Sequence, residues 1–449
     1  MTVSNWEAGM DTVTLAPIAK RDRIAVLDVL RGVAVLGILL MNIPIMGMLY
    51  DHPLPPVPAT PSLDWIVYTL QDTVFSGAMR GLFTLLFGAG MIVMLSRPGP
   101  VQEAAAVQAY LTRCFALVLL GVANFALFLW PGEILFNYGI CGLALLFFRR
   151  VDTRVLVVAA AAALVFLAVL MGGQGAERAA SLRTAEAAVA AQAAGRRPSE
   201  AEGKAIAARA EMLRRAQPTA RDRREAYEVR THYPSLLAWS AKTWLGYNWG
   251  TRATFVFETL GFMLIGMALF RAGVLTGRWS SRFYLTLAVG GFALGLAVRG
   301  TLAAASWRAG YMPDPAVMAW RGYVYELGRL PLTLGWVGLV TLVFRHGLIG
   351  PLAGVLGAVG RLALTNYIGQ SVMTSILFYG LGLFGKLGFA QLMGVAVLIW
   401  SVQSVFSVLW LRRYEMGPAE WLLRAVTYGA WRPLSRVAAS SKPVPAAAE

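Results

Sequence analysis

The chain has 449 residues, of which 57% are hydrophobic and only 14% are charged. This composition excludes a soluble globular protein and indicates a polytopic membrane protein. The formal net charge of +16 does not indicate a nucleic acid partner, because lysine and arginine cluster at the ends of apolar runs, as the positive-inside rule describes. The two cysteines, Cys114 and Cys141, lie inside apolar runs and indicate neither a disulfide framework nor a metal site.

The first apolar run, Arg23–Tyr50, predicts a membrane-spanning helix with a polar stripe. Its segment Val26–Met46 is long enough to cross a hydrocarbon core of about 30 Å. Arg31 and Asn42 share one helix face about 16 Å apart in depth, with Asp28 one turn below Arg31. Polar groups inside the membrane indicate a functional site. The alternative is that Asp28 and Arg31 form an i,i+3 ion pair at the membrane interface.

Nine further apolar runs predict nine further spans, and the first of these is broken or re-entrant because Gln71, Asp72 and Arg80 interrupt it. The runs are Trp65–Leu95, Arg113–Trp130, Ile134–Phe148, Val155–Met171, 253–270, 283–304, 324–344, 360–384 and 390–411. Every even-numbered span leads into a loop that contains arginine. Hydropathy and charge together predict an all-α bundle of about ten transmembrane helices with both termini in the cytoplasm.

Two predicted halves of the bundle are joined by a charged segment rich in alanine and arginine. It predicts one or two surface helices, broken at Pro198 and Pro218. After the last span, GPAEWLLR predicts an amphipathic helix with a Glu420–Arg424 pair. The predicted segments are a cytoplasmic tail without a cleavable signal peptide (1–22), the first half (23–171), the extracytoplasmic loop (172–238), the second half (239–413), and the cytoplasmic amphipathic segment with a disordered tail (414–449).

Four ionisable residues are candidates for binding a substrate or donor inside the predicted spans. Glu258 lies in an apolar run, and Glu326 and Arg329 are spaced i,i+3. Such groups are costly to insert, so a functional or helix-locking role is favoured over a lipid-facing one. Arg80 follows the break in the second span, where it is placed to hold a phosphate or carboxylate. The alternative for Arg80 is an arginine that snorkels to an interface.

Four further residues are candidates for contact with a substrate. Glu133 and Tyr138 lie on a predicted outer turn, near the outer end of the first helix, and are expected to line an acceptor pocket. The alternative for Glu133 is a carboxylate that only caps the turn. Asn366 and Gln370 share one face of the ninth span, where such amides either contact a substrate or bind one helix to another.

Five ordered motifs carry a resemblance to a known family. They are LDVLRGVAVLGILLMNI, LFTLLFGAGM, WPGEILFNYGICGL, VGRLALTNYIGQS and GPAEWLLRAVTYG. Apart from the charged loop, most of the chain resembles the YeiB-like bacterial membrane proteins. This resemblance implies a location in the bacterial plasma (inner) membrane. It implies little about chemistry, because the function of that family is unsettled and older descriptions lean towards transport.

The first helix also resembles, more distantly, the transmembrane acyltransferase superfamily, which includes heparan-alpha-glucosaminide acetyltransferases and bacterial sugar O-acyltransferases. Those enzymes pass an acyl group from cytoplasmic acyl-CoA to an acceptor across the membrane. The matching residues are Leu27, Asp28, Arg31 and Gly32. Where the sugar O-acyltransferases have a histidine, this sequence has Asn42, and an asparagine cannot act as a general base.

The heparan-type enzymes are similar to this chain in having an asparagine at that position and a histidine soon after it. This likeness implies that His52 is the general base, oriented by Asp51 or Asp64, and that Asn42 donates to the developing oxyanion. The alternatives are that His52 is a solvated loop residue and that Asn42 bonds a neighbouring helix.

The sequence therefore predicts a membrane acyltransferase that uses acyl-CoA as its donor substrate and binds neither a permanent cofactor nor a metal. The acceptor is a glycan, a lipid or another small molecule, and the sequence leaves open whether the chain forms a homo-oligomer. The rival hypotheses are a transporter that uses Glu258, Glu326 and Arg329 as a coupling site, and a non-catalytic envelope component. No Walker-type, GxSxG, HExxH or CxxC motif occurs in the sequence.

Overall fold

The structure, a computed structural model, describes residues 24–49, 62–96, 100–250, 252–431 and 433–434. The secondary structure of these residues is helical, with no β-strand among them. The α-helices are α1 (Ala25–Gly47), α2 (Leu63–Leu70), α3 (Ala78–Leu95), α4 (Pro100–Phe128), α5 (Leu135–Leu145), α6 (Thr153–Ala193), α7 (Glu200–Ala216), α8 (Ala220–Thr231), α9 (Tyr233–Gly250), α10 (Arg252–Arg271), α11 (Ser281–Arg308), α12 (Pro315–Arg345), α13 (Gly350–Arg361), α14 (Ala363–Ser375), α15 (Phe389–Arg413) and α16 (Pro418–Tyr428).

The helices confirm a multi-pass membrane protein. Within the described residues, eight helical segments are long and apolar enough to cross a membrane, and the bent pair α13–α14 makes a ninth if it is counted as one span. A shorter apolar helix, Leu135–Phe148, coincides with the fourth predicted span. Each of the ten predicted spans thus coincides with helix, which confirms an all-α polytopic bundle of about ten helices.

Helices α4, α6 and α12 run well beyond the predicted spans, and one predicted span is bent. Helix α6 is 41 residues long and continues past Met171, because the following sequence is rich in the helix formers alanine, glutamate and arginine. Helix α12 begins at Pro315, one residue after its cap Asp314. The ninth predicted span bends by 79° between α13 and α14. Pro198 and Pro218 lie between helices, as predicted.

Side-chain caps fix where several helices begin. Asp152, Ser280 and Asp314 each accept a hydrogen bond from a backbone N–H in the first turn of the following helix. Ser199 and Thr219 form reciprocal capping boxes with Glu202 and Asp222 at the starts of α7 and α8. Each cap satisfies amides that a helix leaves unpaired at its N-terminus.

Helix α1 lies at the centre of the bundle, and side chains from other helices bind its backbone. Pro44 lies inside α1 and has no N–H, so the carbonyl of Leu40 loses its helical partner. The Gln71 amide donates to that carbonyl at 3.1 Å. Gln370 and Trp400 donate to other carbonyls of α1, at 3.0 Å each. The broken second span thus supplies the hydrogen bond that the proline removes.

The arginine-containing loops contact one another at one end of the bundle, which we call the basic side. Arg150 pairs with Glu103 of α4 at 2.7 Å, and Arg271 donates to the carbonyl of Arg149 at 2.6 Å. At the opposite end, the far side, Gly385 donates to the carbonyl of Gly47 at 2.8 Å. Loops that follow the second, fourth and sixth predicted spans thus meet at one end of the bundle, and those that follow the first and ninth meet at the other.

Candidate functional site

A cavity of about 420 Å³ opens among helices at the basic side, and we call it the basic-side cavity. Its wall combines an apolar part from α3, which includes Phe83, Phe87 and Met91, with a charged part. The charged side chains that line it are Asp28, Arg31, Arg113, Arg361, Glu420 and Arg424. An apolar slot beside several arginines suits an anionic group attached to an apolar chain.

Close contact between α1 and α13 builds one wall of this cavity. A Cβ atom on Gly360 would lie 1.8 Å from the carbonyl oxygen of Asp28, and one on Gly32 would lie 2.1 Å from that of Leu356. Only glycine fits at both positions, as in other close helix crossings in membranes. This crossing places Arg361 beside Asp28 and Arg31, which form an ion pair at 3.0 Å.

The amphipathic helix α16 closes the cavity and also caps the bend in the ninth span. The Glu420 carboxylate accepts hydrogen bonds from the backbone N–H groups of Leu364 at 2.7 Å and Thr365 at 3.1 Å. It also accepts one from the Thr365 hydroxyl at 2.5 Å. Burial raises the pKa of Glu420, although these hydrogen bonds oppose the shift. Glu420 therefore caps α14, and the predicted pair with Arg424 is not formed between these described residues.

A second cavity of about 450 Å³ lies towards the far side, and we call it the far-side cavity. Arg80, Glu258 and Glu326 line its inner part, and Arg178 and Arg321 lie on its exposed rim. Its apolar wall includes Leu167, Met171, Phe255 and Met318. The cavity therefore has a charged floor, a basic rim and an apolar flank.

Four charged side chains form a connected network at the floor of the far-side cavity. Glu258 pairs with Arg80 at 2.6 Å and with Arg329 at 2.5 Å. Arg329 is fully buried and also pairs with Glu326 at 2.9 Å. Two arginines therefore face two glutamates across α3, α10 and α12. A balanced network of this kind is how charges are tolerated in a low-dielectric interior.

The break in the second span holds this network in place. Gly77 has φ +75°, and a Cβ atom there would lie 2.6 Å from Cδ of Arg329 and 2.8 Å from the Tyr325 hydroxyl. Both the backbone conformation and the space therefore require glycine. Asp72 precedes Gly77 in the same break, and its backbone carbonyl accepts a hydrogen bond from Arg299 at 2.5 Å. A carbonyl that the break leaves without a helical partner thus regains one.

The two cavities approach each other near the N-terminal end of α3. Tyr138 and Phe83 line the basic-side cavity, and Arg80 lines the far-side cavity. The Thr84 hydroxyl donates to the carbonyl of Arg80 at 2.8 Å. It lies 2.5 Å from the Tyr138 hydroxyl, which is then the donor of that pair, because a hydroxyl has one hydrogen. One turn of α3 therefore separates the two linings.

The structure distributes the candidates from the sequence in three groups. Asp28, Arg31 and Tyr138 line the basic-side cavity, whereas Arg80, Glu258 and Glu326 line the far-side cavity, with Arg329 bound to both glutamates. Asn42, Glu133, Asn366 and Gln370 are not part of either lining. His52 and Asp51 lie outside the described residues, so the predicted base stays a prediction. The two described histidines, His232 and His346, line neither cavity.

Glu133 is buried in a polar cluster between α4, α5 and α9. It is 0% exposed, and it accepts hydrogen bonds from the Trp244 indole and the backbone N–H of Phe136, each at 3.1 Å. Burial raises the pKa of Glu133 to about 7, although both hydrogen bonds oppose the shift. Its geometry is that of a carboxylate that fixes the turn before α5.

Asn366, Gln370 and Asn42 differ in their contacts. Asn366 donates to Ser407 of α15 at 3.0 Å, and Gln370 donates to the carbonyl of Val35 in α1 at 3.0 Å. These amides bind helix to helix, which is the alternative that the sequence left open. Asn42 is half-buried, and its side chain makes no hydrogen bond within the part of the chain that the structure describes.

The sequence interpretation did not identify Arg178, Arg321 or Arg361 as cavity residues. Arg178 was assigned to a surface helix, yet α6 carries it to the rim of the far-side cavity. The available signal was small residues: Gly172 and Gly175 on α6 indicate close packing against another helix. Among the described residues, no group of three or more metal-ligating side chains forms a metal site.

Comparison with known proteins shows the family of the chain. A family model described as "Protein of unknown function (DUF418)" matches residues 269–430. Uncharacterized protein YeiB of Escherichia coli (strain K12) is 30% identical over 433 residues, which cover 92% of this chain and 98% of that protein. Uncharacterized protein YxaH of Bacillus subtilis (strain 168) is 26% identical over 439 residues, or 94% of this chain and 98% of the relative.

A third relative, the "Uncharacterized 39.9 kDa protein in amylase 3'region" of Bacillus acidopullulyticus, is 24% identical over 427 residues, or 92% of this chain and 96% of the relative. No solved structure matches the chain. The likeness to YeiB extends over nearly the whole of both chains, which agrees with the resemblance seen in five ordered motifs. The chain therefore belongs to the family of YeiB, the DUF418 family of proteins of unknown function.

Proposed function

We propose that this protein is a membrane acyltransferase that moves an acyl group from acyl-CoA in the basic-side cavity to an acceptor in the far-side cavity. The observation that carries the proposal is the approach of two cavities from opposite sides to within one turn of α3, at Tyr138, Thr84 and Arg80. Transfer between two compartments requires a donor site and an acceptor site that meet at the reacting atoms. The distant likeness of the first helix to transmembrane acyltransferases supports the same reaction.

The lining of the basic-side cavity suits acyl-CoA. Arg31, Arg113, Arg361 and Arg424 lie at this cavity and are the groups that would bind the phosphates of CoA. The apolar wall of α3 leads inward from these arginines towards Tyr138, along the path that an acyl thioester would follow. In this proposal the basic side and both termini face the cytoplasm of a bacterium, because acyl-CoA is cytoplasmic and the loops follow the positive-inside rule.

The reaction is an attack of the acceptor on the thioester. A hydroxyl or amine of the acceptor forms a bond to the acyl carbon, and the bond from that carbon to the sulfur of CoA breaks. The proton of the acceptor passes to a base and then to the departing thiolate, so no other reactant is needed. His52 is the proposed base. The Tyr138 hydroxyl, which donates to Thr84 in this structure, would turn to donate to the thioester oxygen when acyl-CoA is bound.

The proposal is tested with purified protein in detergent, radiolabelled acetyl-CoA and bacterial lipid extract. We expect CoA to bind, the label to enter an acceptor, and both effects to weaken at least fivefold in Arg361→Gln. Arg278→Gln, in a basic-side loop away from the cavity lining, is the matched control. If folded protein neither binds CoA nor transfers the label, the proposal is overturned.

A transporter is the second candidate, and the network of Arg80, Glu258, Glu326 and Arg329 favours it. Charged networks in the bundle interior are typical of ion-coupled transport. Uptake into proteoliposomes that stops when an uncoupler is added, with no label transfer from acetyl-CoA, would favour transport over acylation.

A further inference from the structure

We propose that the far-side cavity selects an anionic acceptor, a compound that carries a phosphate or carboxylate near the hydroxyl that becomes acylated. This inference rests on the proposed function only in calling the bound compound an acceptor. The binding itself follows from the charge and shape of the cavity.

The rim of the cavity carries two arginines without an acidic partner. Arg178 and Arg321 are exposed and line the cavity from α6 and α12. Within the described residues, neither side chain forms an ion pair or a hydrogen bond. Every other arginine of this site is paired, because Arg80 and Arg329 bind glutamates. The unpaired cations therefore lie where a ligand enters.

The acidic groups of the cavity do not cancel the charge of the rim. Glu258 and Glu326 are each paired with arginine below the rim. Since two arginines already neutralise these two glutamates, Arg178 and Arg321 leave the site with two formal positive charges. A guanidinium pair at a partly enclosed mouth favours a phosphate or carboxylate over a neutral group.

Helix packing holds the two rim arginines on opposite sides of one mouth. A Cβ atom on Gly175 would lie 2.4 Å from the carbonyl oxygen of Met318, and one on Gly322 would lie 2.4 Å from that of Met171. The backbones of α6 and α12 thus touch one turn or less from Arg178 and Arg321. Mobile arginines that merely snorkel to an interface require no such crossing.

The flank of the cavity indicates which anions fit. Leu167 and Met171 of α6 provide an apolar wall, and Gln174 adds a polar group beside Arg178. A headgroup with a hydroxyl and a phosphate on an apolar tail uses all three features, as in phosphatidylglycerol. A soluble glycerol phosphate shares the headgroup chemistry without the tail. The two sources are separated by experiment.

Binding is measured on the full-length protein without CoA, using sn-glycerol 1-phosphate and phosphatidylglycerol nanodiscs as anionic probes. Glycerol and monoglucosyl diacylglycerol are the neutral, hydroxyl-bearing counterparts. We expect at least one anionic probe to bind more than tenfold tighter than its neutral counterpart. Binding of both anionic probes, or of glycerol phosphate alone, identifies the phosphate group as sufficient, whereas binding of phosphatidylglycerol alone identifies a lipid acceptor.

Arg178→Gln and Arg321→Gln should each weaken anion binding about threefold to tenfold. The loss should be larger in salt-free buffer than in about 0.5 M salt, because salt screens the charge of the arginines. Arg183→Gln, on the exposed surface of α6 but outside the cavity lining, should leave binding unchanged. Equal binding of the neutral probes, or equal loss in Arg183→Gln, overturns the inference. Anion binding without acyl transfer overturns only the proposed function. Acyl transfer that is unaffected by Arg178→Gln and Arg321→Gln together overturns only this inference.

Discussion

The hydroxyls of Tyr138 of α5 and Thr84 of α3 lie 2.5 Å apart, beside the single turn of α3 that separates the two cavities. Tyr138 donates to Thr84, which donates to the backbone of Arg80. In the proposed reaction, an acyl thioester that enters from the basic side would meet this pair before any group of the far-side cavity. The pair is therefore where the proposed reaction is most sensitive to substitution.

Tyr138→Phe should lower acyl transfer about 100-fold while the protein stays folded, because it removes a donor to the developing oxyanion. The measurement is the initial rate of label transfer from acetyl-CoA at saturating acceptor. Tyr110→Phe is the control, since Tyr110 also lines the basic-side cavity but donates to the carbonyl of Gly142 at 3.0 Å. Equal rates in the two variants would remove Tyr138 from the mechanism.

Glu258→Gln should destabilise the protein by about 3–5 kcal/mol, because Arg329 and Arg80 lose the carboxylate that they share in the interior. Thermal unfolding in detergent measures the effect. Glu103→Gln breaks an ion pair with Arg150 at a basic-side loop and should cost under about 1 kcal/mol. Similar costs for the two substitutions would mean that the buried network contributes little to folding.

Gln71→Leu should destabilise the protein by about 1–2 kcal/mol, because the carbonyl of Leu40 is left without a donor in the membrane interior. In a Pro44→Ala background, residue 44 regains an N–H that reaches this carbonyl, so the same substitution should cost much less. A double-mutant cycle by thermal unfolding measures the difference. Additive effects would contradict the role assigned to Gln71.

Glu133 predicts a pH dependence of stability. Its pKa is about 7 in the folded protein against 4.5 ordinarily, so the folded state binds more protons than the unfolded chain between these values. The free energy of unfolding should therefore fall as pH rises from 4.5 to 7, by up to about 3 kcal/mol. Unfolding at pH 5 and pH 8 should differ less in Glu133→Gln than in the wild type. If the difference between pH 5 and pH 8 were the same in Glu133→Gln as in the wild type, the raised pKa of Glu133 would be contradicted.

The spans were predictable because each depends on local sequence. Twenty apolar residues identify a membrane-spanning helix wherever it packs, and arginines in the next loop mark where each even span ends. The continuation of α6 past Met171 was missed, because the change from apolar to charged residues marks the membrane surface and not the end of the helix. At Met171 the composition changes from apolar to charged, whereas the backbone stays helical to Ala193.

The candidate site was less predictable because it depends on which helices meet. Glu258, Glu326 and Arg329 were identified because charge inside an apolar run is visible in sequence. Glu420 was expected to pair with Arg424 four residues later, whereas it binds α14, more than 50 residues away in the chain. Contacts over such separations leave no periodic signal.

Transfer across a sealed membrane is the decisive test of the proposed two-cavity reaction. Inside-out vesicles that contain the protein, with the cytoplasmic face outward, receive radiolabelled acetyl-CoA in the external buffer. The proposed reaction predicts that the acylated product forms on the luminal side and that free CoA is released into the external buffer. Vesicles with Tyr138→Phe should form little product. The proposed reaction would be contradicted if the product stayed on the external face. It would also be contradicted if vesicles that bind CoA formed no product.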